Sequence, residues 1–181
     1  NINQKLNDYS ETLIHQIDTM TTVASAFSNF ANMPGQQNEL LNIVQISKMA
    51  LEIFDEDYVR FQTTEKEIFT LFDRAQLTRV VTNLVKNAIQ AIPENQEEKS
   101  VIVELSKTEN QFVLKVSDNG IGISPENAAY IFEPKFTTKN SGMGLGLAII
   151  KNIIENYKGT ITFVTEEGKG TTFTVTLPIK N

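Results

Sequence analysis

The chain reads Asp118-Asn119-Gly120-Ile121-Gly122-Ile123, then Phe132-Glu133-Pro134-Lys135-Phe136-Thr137-Thr138-Lys139, then Gly142-Met143-Gly144-Leu145-Gly146. A carboxylate leads this stretch. Glycines fall on alternate residues at both ends, and a loop bearing hydroxyls and lysines lies between them. Alternating glycines let the main chain turn tightly and approach a ligand closely. The residues that follow Gly146, Leu-Ala-Ile-Ile-Lys-Asn-Ile-Ile-Glu-Asn, read as a helix with an apolar face. A helix that begins at a glycine cluster offers unpaired backbone N–H groups and a partial positive charge, which suits phosphate. The stretch therefore implies a nucleotide site, with Asp118 at one end and the phosphates at the other.

Working back from it, Asp73 opens a helix running to about Ile92, just before Pro93. Asp73 and Gln76 have capping-box spacing, and Leu77, Val81, Leu84, Ala88 and Ile92 form the apolar face. A second stripe, Asn83, Asn87 and Gln90, is spaced four and three and shares another face. Any one of these amides could cap or face water. Together with the glycine clusters they suggest ligands, because an Asn carbonyl oxygen suits Mg²⁺. Asp118 follows the apolar strand 112–116. Asp-Asn-Gly is turn chemistry in its own right. It is also compatible with a carboxylate accepting from the exocyclic amine of adenine, with Gly120 and Gly122 admitting the base and Ile121 and Ile123 as walls. The glycines from Gly142 to Gly146 fit neither a dinucleotide turn nor a Gly-x-x-x-x-Gly-Lys-Ser/Thr phosphate loop.

The remaining elements follow from periodicity. Residues from about 3 to 32 read as one long helix with a seam of Leu13, Ile17, Met20, Ala24, Phe27 and Ala31, ended by Met33-Pro34-Gly35. Its length of roughly 45 Å suits a bundle with other helices better than burial on a small domain. A second helix is expected over 40–54, a strand over 58–63, a charged turn over 94–99, and paired strands over 101–105 and 112–116. A further hairpin is expected over 159–164 and 171–177, ended by Pro178.

Bulk properties exclude several classes. The net charge of −6 with no basic block argues against nucleic acid. The absence of cysteine removes disulfides, thiolate metal sites and a cysteine nucleophile. No apolar run reaches the ~18 residues of a membrane span. The chain opens without Met, inside a helical pattern, and reads as a piece of a longer protein.

Taken together, the clusters resemble the ATP-binding domain of sensor histidine kinases, in the superfamily shared by gyrase, heat-shock chaperone, histidine kinase and mismatch-repair ATPases. The N box is similar to Asn83-Leu84-Val85-Lys86-Asn87-Ala88, the G1 box to 118–122, the F box to 132–136, and the G2 box to 142–147. The last box is similar to Gly168-Lys169-Gly170-Thr171-Thr172-Phe173. The resemblance covers about residues 38–179. It implies an α+β fold, a two-layer α/β sandwich of the Bergerat type with a mixed sheet and helices on one face, preceded by the long helix. It implies ATP and Mg²⁺ as ligands. Asp118 is expected at the adenine amino group, supported through water by Thr171. Asn87 is expected on Mg²⁺, with Asn83 near the phosphates or the ion. Gly120, Gly122, Ile123, Gly142, Gly144, Leu145 and Gly146 are expected to shape the pocket and lid. Lys135, Thr137, Thr138 and Lys139 are expected where lid residues approach the phosphates. Met143 stands where relatives often carry Thr.

The run Phe27-Ser28-Asn29-Phe30-Ala31-Asn32-Met33-Pro34 resembles the end of the second dimerisation helix of nitrogen-regulation-type membrane sensor kinases. This implies that residues 1–34 belong to a dimerisation hairpin and residues 35–181 to the catalytic domain. It also implies a homodimer through the first helix, a response regulator as partner, and a cytoplasmic domain whose parent is anchored in the bacterial inner membrane. The resemblance makes the parent a protein histidine kinase and leaves this stretch without a nucleophile. His15 is the only histidine. It lacks the acidic residue and the proline that follow the acceptor in the family, so it reads as a residue beside the seam, with the acceptor upstream. The alternatives are another ATPase of the superfamily, a serine kinase of the anti-sigma type, or a nucleotide-binding scaffold without turnover.

Overall fold

The computed structural model describes residues 37–133 and 144–180. The long first helix expected over 3–32, its seam, His15 and the expected boundary at Pro34 lie outside the described residues. Elements follow in the order β1 (Asn38–Asn42), α1 (Ile43–Leu51), β2 (Val59–Thr63), β3 (Phe69–Asp73), α2 (Arg74–Ala91), β4 (Val101–Lys107), β5 (Gln111–Asp118), the short α3 (Pro125–Ala128), α4 (Gly146–Asn156), β6 (Thr160–Glu166) and β7 (Gly170–Pro178).

Five strands form one sheet in the order β2-β4-β5-β7-β6. β2 runs parallel to β4 and every other neighbour is antiparallel, so the sheet is mixed. Strand residues alternate between two faces. Val101, Val103 and Leu105 of β4, Phe112, Leu114 and Val116 of β5, and Phe173, Val175 and Leu177 of β7 are all buried. Residues between them, such as Glu104 and Lys115, are exposed. Among the described residues only one face is therefore covered, and helices cover it. α2 contributes Leu77, Val80, Val81, Leu84, Val85 and Ala88, and α4 contributes Ile150, Ile153 and Ile154. This is the two-layer α+β arrangement that the sequence motifs imply.

The expected caps explain where the helices start. Asp73 Oδ1 accepts from Gln76 N at 3.0 Å and sets the first turn of α2. The second helix begins later than the apolar pattern suggests. Asn42 Oδ1 accepts from Val44 N at 3.2 Å, which makes Asn42 the cap. Residues 38–42 instead pair antiparallel with β3, Leu40 lying opposite Leu71. β3 itself is a strand that the sequence reading did not assign. Its Thr70 and Phe72 are buried while Phe69 is exposed, a period of two that is too short to separate from the helix cap beside it.

The β1–β3 ribbon is tied to both long helices. Asp73 Oδ2 accepts from Gln37 N at 3.0 Å. The Tyr157 hydroxyl, just past α4, donates to Asn38 Oδ1 and accepts from Asp73 N. The Tyr157 ring stacks on Phe72, centroids 3.7 Å apart. Burial pushes the Tyr157 phenol above its ordinary pKa. The Asp73 backbone hydrogen bond opposes that shift, and the Asp73 charge adds to it.

Candidate functional site: the end of the sheet against α2

Asp118 is the last residue of β5 and continues its inward-facing series after Phe112, Leu114 and Val116. The apolar face of the sheet thus ends in a polar row. Asp118 lies opposite Thr171 of β7, and Thr171 lies opposite Thr165 of β6. Asp118 Oδ1 accepts from Gly120 N at 2.9 Å and from Thr171 N at 3.3 Å, so the main chain holds the carboxylate in place. Thr165 Oγ1 accepts from Ile123 N at 2.9 Å and ties the turn after Asp118 to the last hairpin.

The two glycines of this turn are there because the chain runs against neighbouring backbone. A Cβ on Gly120 would lie 2.3 Å from the Ala91 carbonyl oxygen at the end of α2. Ile121 N donates to that same oxygen at 2.9 Å. Gly122 has φ +69° and passes Glu166 O equally closely. Asn119 closes the other side, its Nδ2 donating to Glu98 O and its Oδ1 accepting from Ser100 N.

Eight residues back along α2, Asn83 marks the opposite end of the site. Its Nδ2 donates to Arg79 O at 2.8 Å, which turns Oδ1 toward Gly146, 3.3 Å from where a Cβ there would stand. Gly146 opens α4, and Leu145 at its N-cap supplies no side-chain acceptor. Gly144, just before it, has φ +63°. The C-terminal half of α2 therefore bridges the Asp118 turn and the start of α4, about 12 Å at 1.5 Å per residue. Asn87, half-buried, lies between the two ends, with Gln90 nearer the turn.

Residues 72–181 match the family described as histidine kinase-, DNA gyrase B-, and HSP90-like ATPase. The chain belongs to this ATPase family. It is 35% identical over 163 residues to the sensor histidine kinase ZraS of Escherichia coli, covering 78% of this chain and 34% of that protein. It is 27% identical over 180 residues to a putative NtrY-like sensor histidine kinase of Rickettsia conorii, covering 97% of this chain and 30% of that one. The chain thus spans about a third of the length of these curated relatives. Among solved structures, the catalytic domain of histidine kinase ThkA superposes with a TM-score of 0.70 at 28% identity, over 80% of this chain and 97% of that one. The mixed sheet with helices on one face is the fold of histidine kinase catalytic domains, and the ligand implied by the family description is ATP.

Against the ATPase family's pattern, the described residues bring Asp118, Gly120, Gly122, Ile123 and Thr171 to one end of α2. They bring Asn83, at the middle of α2, beside Gly146 at the start of α4, with Gly144 and Leu145 just before it. Ile123 packs against the core as a half-buried wall. Ile121, also expected to be a wall, is 58% exposed. Lys135, Thr137, Thr138, Lys139 and Gly142 lie outside the described residues. Among the described residues no group of three or more His, Cys, Asp or Glu gathers around a metal position. α2 offers the amide oxygens of Asn83 and Asn87 instead. That donor set fits Mg²⁺, which keeps several waters and shares phosphate oxygens. No sequence motif marks Thr165. Its signal is strand register, since it falls in the row of Asp118 and Thr171 only once β6, β7 and β5 are aligned. A groove of about 760 Å³ runs along the N-terminal half of α2, lined by residues that include Glu39, Arg74, Thr78 and Arg79, and it meets the site at Asn83. Among the described residues no helix is long and apolar enough to cross a membrane.

Proposed function

We propose that this chain is the ATP-binding catalytic part of a two-component sensor histidine kinase. In the parent protein the γ-phosphoryl group passes from ATP to an imidazole nitrogen of a histidine upstream of this stretch. A P–N bond forms, the bond to the bridging oxygen of ADP breaks, and a response regulator then takes the phosphoryl group. The reading is carried by one observation. α2 joins a backbone-held carboxylate, Asp118, to a helix start without a side-chain cap, at Gly146, with an amide stripe between them.

In this reading Asp118 accepts from the adenine amino group, with Thr171 beside it. The N-terminal N–H groups of α4 receive phosphate oxygens. Asn87, with Asn83, holds Mg²⁺, which neutralises phosphate charge when bound. Lys135, Thr137, Thr138 and Lys139 approach the phosphates from the segment between α3 and α4. α2 contains no Asp or Glu, so it offers no base to activate water. That favours transfer over the Glu-assisted hydrolysis of other superfamily members. Residues 1–34 act as the second helix of a dimerisation hairpin and residues 35–181 as the catalytic domain. The parent is a homodimer anchored in the bacterial inner membrane, with this part on the cytoplasmic side.

Isothermal titration of the chain with ATP, with and without Mg²⁺, tests the reading. Saturable binding strengthened by Mg²⁺ is expected, and absence of binding under both conditions refutes it. Incubation with radiolabelled ATP should leave His15 unlabelled. Acid-labile label on His15 would overturn the view that the acceptor lies upstream.

A further inference from the structure

Thr165 has a hydroxyl with three partners and one proton. It accepts from Ile123 N at 2.9 Å, its direction toward Gly170 O at 3.1 Å is that of a donor, and it lies 2.9 Å from Thr171 Oγ1. A threonine hydroxyl donates once and accepts at two positions. With its proton on the carbonyl of buried Gly170 and one lone pair on Ile123 N–H, the remaining position of Thr165 only accepts. Thr171 must then be the donor in the contact between the two hydroxyls. The Thr171 proton is thereby used inside the hairpin, and elsewhere its oxygen, on the residue opposite Asp118, presents lone pairs alone. An ionised Asp118 is likewise an acceptor without protons.

We propose that Thr165 is a specificity-determining positioning residue. By taking the Thr171 proton, it makes the base end of the site a surface of acceptors that selects purines carrying an amino group. This inference rests on the nucleotide reading above and concerns only how the base is chosen. Thr165 does not touch the base; it acts through Thr171. With its hydroxyl removed, Thr171 Oγ–H is free to turn and donate toward the base, and an amino-less purine is penalised less.

The test compares the affinities of ATP and purine riboside triphosphate, which lacks the amino group, for the chain in Mg²⁺. The ratio of the two is the readout, because a loss of folded protein lowers both alike. Thr165→Val is expected to shrink the ratio by about tenfold, the scale of one neutral hydrogen bond. Thr165→Ser, which keeps the hydroxyl, should restore it. Thr171→Val should shrink the ratio similarly, and adding Thr165→Val to it should change the ratio no further, because the two act as one unit. If Thr165→Val does not fold, Thr165→Ala serves in its place. An unchanged ratio in the hydroxyl-less variant, or a further loss in the double variant, overturns the proposal. Failure of the unmodified chain to bind ATP overturns the nucleotide reading instead. Binding of ATP without discrimination against the amino-less analogue overturns the Thr165 role while leaving the nucleotide site standing.

Discussion

Gly120→Ala is the most informative single perturbation of this site. The added methyl would lie 2.3 Å from Ala91 O and 2.5 Å from Ala91 C, where ordinary contact begins at 3.4 Å. Both obstructing atoms are backbone, so no rotamer relieves the clash. Either the Asp118 turn or the end of α2 must retreat by on the order of 1 Å, an overpacking that costs roughly 1–3 kcal/mol. The Ile121 N–Ala91 O bond would be stretched or lost with it, adding about 0.5–1.5 kcal/mol. Stability should therefore fall by about 1.5–4.5 kcal/mol. The same retreat moves Asp118 relative to Asn83 and Asn87, because the turn after Asp118 rests on the end of the helix that carries both amides. A displacement of that size can cost ~100-fold where two ends of a ligand are held at once. Urea unfolding gives the first quantity and titration with Mg-ATP the second. A variant with unaltered midpoint and ATP affinity within about twofold of the parent would refute the claim that this contact sets the spacing of the site.

With Asp118 at the base amino group as proposed, Asp118→Asn should weaken ATP binding by about 1–3 kcal/mol in isothermal titration, since it turns an acceptor pair into an amide there. Leu84→Ala, at a position with 0% exposure on α2, should lower unfolding stability by roughly 2–5 kcal/mol in urea. Tyr157 predicts an alkaline limit. Its phenol titrates higher when folded than when unfolded, so its contribution is complete below about pH 10, the unfolded value, and is lost as pH rises through the folded value. Thermal unfolding scans should show this fall for the parent and a shallower one for Tyr157→Phe, and identical slopes would count against it.

The sequence reading captured elements in which a local signal and the tertiary environment agree. Asp73 caps α2 as its spacing with Gln76 implies, and Asp118 ends an alternating strand whose inward face is apolar. It missed features that exist only through pairing. Leu40 and Leu41 look like the start of an apolar helix, yet β3 supplies hydrogen-bonding partners and Asn42 supplies the cap, so the chain is extended there. Thr165 carries no motif and joins the site through cross-strand register alone. In the sequence the glycines read as permissive turn residues. At Gly120 the reason is narrower: the end of a helix occupies the space a side chain needs.

The bracket formed by Asp73 and Tyr157 has a mechanical corollary. One oxygen of the Asp73 carboxylate starts α2 while the other grips the main chain at Gln37, and Tyr157 fastens Asn38 to the far end of α4. A twist or pull delivered along the polypeptide at Gln37 is therefore applied to two stiff rods, one carrying the amide stripe and the other beginning beside it. Torque entering at that joint has little slack to cross before it reaches Asn83 and Gly146.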